Sequence, residues 1–239
     1  MTSILLYQYE ISPYADKVRR ALAIKGLAYG TVEVLVSRRS AHKAVSPTGK
    51  FPVLVHDGRT IVDSSDILRY LDATFPSPPL APDSPRDRAL AVLFEDWADE
   101  SLYFYDLAMR PWPQNRDWFV ADLLAHETGL LKPLLARAIP GAIAKVAATQ
   151  GLGRKAPSVV VQDLAQLYDA LEAWLEGGDW LAGPRLSSAD LAVRAMTNVL
   201  DRTVEGAALR RARPGLDAWS RRVDAAAPPQ GLSVTPLFG

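Results

Sequence analysis

Ser12-Pro13-Tyr14-Ala15-Asp16-Lys17-Val18-Arg19-Arg20-Ala21-Leu22-Ala23-Ile24-Lys25-Gly26 is the stretch from which the fold is read. A serine hydroxyl can cap the free amides of a helix start, and proline at the first helical position loses no hydrogen bond there. Val18, Ala21 and Leu22, with Ala15, recur at helical spacing and form an apolar stripe. Lys25-Gly26 closes the segment with a basic last turn and a glycine cap. A single helix that opens at Ser12-Pro13 and closes at Lys25-Gly26 is the expectation.

Outward from this helix the pattern is that of strands. Residues 4–9 are a short apolar and aromatic run suited to a buried strand. Residues 29–36 read as a second strand, with Val32, Val34 and Val36 on one face at period two. Ser37-Arg38-Arg39-Ser40 reads as a polar loop, and Ser46-Pro47-Thr48-Gly49 as a turn. Residues 51–56 form a third strand. Asp57-Gly58 signals a two-residue hairpin, and 59–62 return as the fourth strand. Asp63-Ser64-Ser65 then caps a helix over 66–74. A strand–helix–strand unit followed by a hairpin and a helix, within 76 residues, predicts an α/β domain with a right-handed crossover.

Beyond it the periodicity changes. Residues 75–85 contain five prolines and read as an interdomain linker. Helical patterns follow over 86–109, 117–139 (with a break at Lys132-Pro133), 140–150, 159–176, 187–201 and 214–225. The expected organisation is 1–76 as an α/β domain, 77–86 as linker and 87–239 as an all-helical domain. Segment 110–154 is long and interrupted by prolines.

Composition narrows the function. The 239 residues include 27 basic and 27 acidic side chains, 49% hydrophobic residues and no cysteine. Zero net charge lacks the electrostatic signature of a nucleic-acid or anionic-membrane binder. No uncharged apolar run is long enough for a membrane helix, and no basic region leads into an apolar one, so a cytoplasmic protein is expected. Without cysteine the chain cannot run thiol–disulfide exchange itself. His42, His56 and His126 have no metal-ligand spacing, so no metal is expected.

Three loops converge if the α/β domain folds as read: those holding Ser12, Lys50-Phe51-Pro52 and Asp63-Ser64. Two helix N-termini would then face one ligand, and such termini attract anions. Ser12-Pro13-Tyr14-x-x-Lys17-Val18-Arg19-x-x-Leu22-x-x-Lys25-Gly26 resembles the opening of serine-type glutathione transferases. Lys50-Phe51-Pro52-Val53-Leu54 is similar to their cis-proline segment. Val62-Asp63-Ser64-x-x-Ile67-Leu68-x-Tyr70-Leu71 is similar to their acid–serine motif, and Ser187-x-x-Asp190 to the capping box of their helical domain. The resemblance covers nearly the whole chain. It implies a thioredoxin-like N-terminal domain, an all-α helical bundle, glutathione as co-substrate, a homodimer and a detoxifying transferase activity.

By that resemblance, Ser12 would donate to the glutathione sulfur and Lys50 would reach the glycine carboxylate. The Phe51 backbone would pair with the cysteinyl unit beside a cis Pro52. Asp63 and Ser64 would hold the γ-glutamyl end, with aspartate where the family more often has glutamate. Plainer readings stand beside these. Ser12 and the Asp63-Ser64 pair are also ordinary caps, Lys50 a solvated loop lysine, and Arg38 and Arg39 solvated or near the glycine end. The Tyr7 and Tyr9 hydroxyls are rivals to Ser12. Tyr14, Tyr103 and Trp112 are candidates to line the pocket for a small hydrophobic electrophile. Conjugation, lyase, ether-cleaving and peroxidase chemistry all fit, as does a non-catalytic binding module whose site is filled by Tyr14 or Phe51.

Overall fold

The computed structural model describes residues 3–228 and the backbone of Val234–Pro236. β1 (Ile4–Gln8), α1 (Pro13–Ile24) and β2 (Tyr29–Glu33) form the crossover unit. β3 (Val53–His56), β4 (Arg59–Val62) and α2 (Ser64–Thr74) complete the α/β half. The strands lie in the order β4-β3-β1-β2. β1 runs parallel to β2 and antiparallel to β3. The hairpin turn is as read: Asp57 and Gly58 both have positive φ, 47° and 81°, the mirror-image turn that matches strand twist. A short segment, Val234–Pro236, adds a fifth strand along the open edge of β2. The all-helical reading of 87–239 therefore does not extend to these three residues, because an unpaired strand edge offers amide and carbonyl partners.

Two details of the α/β half differ from the sequence reading. The core face of β2 is Tyr29 and Thr31, followed by Val34, while Val32 and Val36 are only partly buried. Pairing sets this face: the fully buried Leu6 lies opposite Thr31. The segment expected as a polar loop is a kinked 3-10 turn over Val36–His42. The α1 stripe is as expected, with Ala15, Val18, Ala21 and Leu22 fully buried. Lys25 does not serve its own helix end. Its ammonium, fully buried, donates to Asp72 and to the Phe75 and Pro78 carbonyls, each at 2.6 Å.

The proline-rich connection runs from the end of α2 to α3 (Pro85–Trp97), so Pro85 and Arg86 are already helical. Lys25 fastens it from one side and Arg185 from the other, through the Pro79 and Ala81 carbonyls and Asp83. It is a pinned strap, unlike a free proline-rich spacer. After α3 a π turn (Ala98–Leu102) leads into α4 (Tyr103–Met109). α5 (Arg116–Leu123) and α6 (Leu131–Gln150) follow. The break falls at 124–130 rather than at Lys132-Pro133, because Pro133 sits in the first turn of α6, where a missing amide costs nothing. Pro140 lies inside the same helix without ending it.

α7 (Pro157–Leu175), α8 (Ser188–Leu200), α9 (Val204–Arg211) and α10 (Pro214–Ala226) complete the bundle. α9 escaped the sequence reading; it is two turns long and starts at a Thr203 side-chain cap on Gly206. The helical core gathers Leu102, Tyr105, Leu164, Tyr168, Met196 and Trp219. Leu191 of α8 belongs instead to the core of the α/β half. The two halves are also joined by a buried charge network. Arg20, fully buried on α1, bonds Asp16, Asp224 and the Ala227 carbonyl. Arg194 on α8 bonds Asp224 and Asp201, and Asn198 bonds Asp16.

Candidate active site

A cleft of about 420 Å³ opens where α1, the 49–52 loop and the start of α2 face α4. This is an ordinary size for a small-molecule site. Its wall includes Ser12, Lys50, Phe51, Pro52, Asp63 and Ser64, so the three loops do converge. Tyr14 and Tyr103 also line it. Trp112 does not. It faces a separate hollow with Pro111, Ala144 and Val160 and packs on the helical core, because the 110–115 turns carry it to the far side of α4. A depression of about 500 Å³ between α5 and α6 is larger, but none of the convergent loops reaches it.

Ser12 is a cap in fact: its Oγ accepts from the Ala15 amide at 3.4 Å. Accepting that bond leaves the hydroxyl proton to donate, so the capping and donor readings are compatible. The Phe51–Pro52 peptide is cis. The β1–β3 ladder ends at the Tyr7–Val53 pair, and Phe51 lies beyond it. Asp63 adopts φ 74°, unusual for a residue with a Cβ, and its Oδ1 accepts from the Ser65 and Asp66 amides. Both of these bonds fall on Oδ1. Ser64 is buried on the cleft wall, whereas Lys50 and Asp63 are exposed.

Tyr7 packs on His42 and is not part of the cleft wall described, whereas Tyr9 is. Burial raises the Tyr9 phenol above its usual value, so it stays protonated at neutral pH. The Tyr14 hydroxyl is committed to the Asp99 carbonyl at 2.8 Å. Its ring stacks at a tilt on Tyr103, 5.0 Å away, and the cleft stays open beside both. Arg39 also reaches the wall, held by the Gly49 carbonyl at 2.8 Å.

Several residues take on roles at the site that the sequence reading did not assign them. Lys17 is fully buried beneath the site and bonds Asp99 at 2.6 Å, Glu95 at 3.0 Å and the Ser65 hydroxyl at 3.0 Å. It thereby locks α1, α2 and the π turn together. Burial raises the Asp99 carboxyl despite the opposing Lys17 charge. Segment 124–130 clasps the α/β half: Glu127 accepts from the Ser37 amide at 2.9 Å and its hydroxyl at 2.7 Å. Arg110, Glu100, Phe104 and Leu123 complete the helical side of the cleft. A helical cation such as Lys17 or Arg110 reads as solvated until its neighbours are known. Among the described residues, no group of three His, Asp or Glu is placed to hold a metal, and no helix is long and apolar enough to cross a membrane.

Comparison with known proteins meets this geometry from another side. Residues 6–79 match the family model "Glutathione S-transferase, N-terminal domain", and residues 144–226 match "Glutathione S-transferase, C-terminal domain". A probable glutathione S-transferase of Nicotiana tabacum is 36% identical over 104 residues, 43% of this chain and 47% of that protein. The match thus spans about half the length of this relative. A glutathione S-transferase from Rhodospirillum rubrum superposes with a TM-score of 0.70 at 24% identity, over 93% of this chain and 88% of that one. A β-etherase from Sphingobium superposes at 0.65 and 24% identity, over 93% of this chain and 95% of that one. These two likenesses are of fold.

Proposed function

The chain belongs to the glutathione S-transferase superfamily, and on that premise we propose that it binds glutathione in the cleft, ionises its thiol at Ser12 and adds the sulfur to a small hydrophobic electrophile. The observation that carries this reading is the meeting of Ser12, the 50–52 loop and Asp63-Ser64 on one open wall opposite an aromatic one. Lys50 takes the glycine carboxylate, the Phe51 backbone the cysteinyl unit, and Asp63 with Ser64 the γ-glutamyl end. Tyr14 and Tyr103 face the acceptor. An open cleft beside Tyr14 and Phe51 favours an enzyme over a non-catalytic binding module. A homodimer is part of the reading, with the exposed Val62, Val92 and Leu93 as candidates for the covered surface.

The chemistry is a matter of proton affinity. A free thiol has a pKa of about 8.5, and each unit of depression requires about 1.4 kcal/mol of preferential thiolate stabilisation. A hydroxyl donor at the N-terminus of a 12-residue helix can supply one or two such units. Titrating the purified protein with reduced glutathione while following ultraviolet thiolate absorbance tests this. The bound thiol is expected to ionise about one to two units below the free one. Binding without that shift would leave a binding module and remove the transferase reading.

The γ-glutamyl assignment has its own test. Asp63→Asn keeps a side chain that tolerates positive φ and still caps α2, but removes the charge facing the glutathione ammonium. The glutathione Kd is expected to rise about tenfold by calorimetry, with kcat at saturation changing far less. An unchanged Kd would detach Asp63 from glutathione.

A further inference from the structure

The helical wall of the cleft carries a cation that a purely hydrophobic acceptor does not need. Arg110 is only 7% exposed, yet it lines the same cavity as Ser12. Its guanidinium lies 4.7 Å over the Phe119 ring and 5.6 Å over the Tyr103 ring. It forms an ion pair with the fully buried Asp106 one turn earlier. Its Nε has no hydrogen-bond acceptor. A buried charge is costly, and the Asp106 pair, with the Tyr103 side chain as a second partner, still leaves Nε without an acceptor. Glu100, the other charge on the helical side of the cleft, is exposed, where water weakens its repulsion.

We infer that Arg110 is a specificity determinant that draws an aromatic acceptor bearing a carboxylate, its ring stacked near Tyr14 and Tyr103 and its anionic group turned to the guanidinium. The inference rests on the glutathione transferase reading above and narrows its acceptor class. The Phe119 and Tyr103 rings flank the guanidinium, and Asp106 moderates its charge enough to keep it folded inside. Acceptors of the same shape without the anion forgo that attraction.

The test uses 4-chloro-3-nitrobenzoate and its methyl ester. In both, the glutathione sulfur forms a bond to the chlorine-bearing ring carbon, and chloride leaves with the bonding pair. The thiol proton passes to solvent when the thiolate forms. The ester is intrinsically the more reactive, so the readout is the carboxylate-to-ester ratio of kcat/KM across variants. Arg110→Met is expected to lower that ratio at least about tenfold, and Arg110→Lys by less. Asp106→Asn, which frees the guanidinium, is expected to raise it. A merely structural pair would not move the ratio upward. If Arg110→Met leaves Asp106 stranded and fails to fold, the Arg110→Met/Asp106→Asn double variant removes both charges and reads the same loss. Ratios unchanged within about twofold in the double variant and in Asp106→Asn would overturn the inference. Calorimetry with glutathione separates the two layers. Glutathione binding with unmoved ratios sinks the acceptor assignment alone; no glutathione binding to the wild-type chain sinks the transferase reading and this inference with it.

Discussion

Ser12→Ala is expected to lower kcat about 10²- to 10³-fold while glutathione still binds within about threefold of the wild-type affinity. The hydroxyl acts on the charge that develops on sulfur, and removing one such donor from a pre-built site costs rate far more than affinity. The same oxygen caps α1, so alanine also removes about 1 kcal/mol of stability. Ser12→Gly separates the effects, because glycine is tolerated as a cap to within a few tenths of a kcal/mol. Both variants should lose the low thiolate pKa, and Ser12→Thr, which keeps a hydroxyl, should retain part of it. The measurements are steady-state kcat, glutathione Kd and Tm on the same preparations. Equal losses in kcat and affinity would remove Ser12 as the activating group. A loss of rate confined to the less stable alanine variant would reduce it to a cap.

The second large effect lies far from the cleft, at Asp190. Its carboxylate is buried and accepts four hydrogen bonds. Oδ1 takes the Leu181 amide at 3.0 Å and the Trp219 indole at 2.9 Å. Oδ2 takes the Ser187 amide at 2.9 Å and its hydroxyl at 3.1 Å. Four acceptor sites meet four donors, which is the full capacity of a carboxylate. Burial still raises its pKa, although every one of these bonds opposes the rise. Asp190→Ala strands buried donors at the start of α8, in the 181 loop and on α10. At 1–3 kcal/mol for each unsatisfied group, a loss of about 4 kcal/mol or more is expected. Asp190→Asn should lose a comparable amount, because its amide nitrogen cannot accept from Ser187. The denaturant midpoint and slope report the change. A loss under about 1 kcal/mol in both variants would show that water replaces the carboxylate.

Why the sequence yielded the α/β half so readily follows from its grammar. The Ser12-Pro13 start, the Asp57-Gly58 hairpin and the Asp63-Ser64 cap are local devices whose meaning depends on residues within a few positions. The glutathione-facing candidates belong to the same local devices, and so all of them arrive on one wall. The acceptor side is different. Trp112 was placed by its aromatic neighbourhood, but only the path of the chain after Met109 decides which side of α4 it meets. Lys17 looks like a surface cation on the line and becomes buried through a partner 82 residues away, while Arg110 is enclosed by Asp106, Tyr103 and Phe119. Pro140 is tolerated in α6 and Lys132-Pro133 is harmless at its start, so the expected break was misplaced. Both family matches stop short of this region, leaving residues 80–143 between them.

The Arg20–Asp16–Asp224–Arg194 network has a bearing on how such a chain can be inherited and rebuilt. Its charges come in turn from α1, α8 and α10, and Asp224 of α10 answers both Arg20 of α1 and Arg194 of α8. A chain cut at the strap would leave Arg20 and Leu191 each facing solvent or an unmatched surface, with the desolvation already built into their surroundings. The α/β half and the helical half are consequently interlocked parts of one cooperative unit. Grafting a foreign helical half onto this α/β half would require transplanting the counter-charges of α8 and α10 together with the helical side of the cleft.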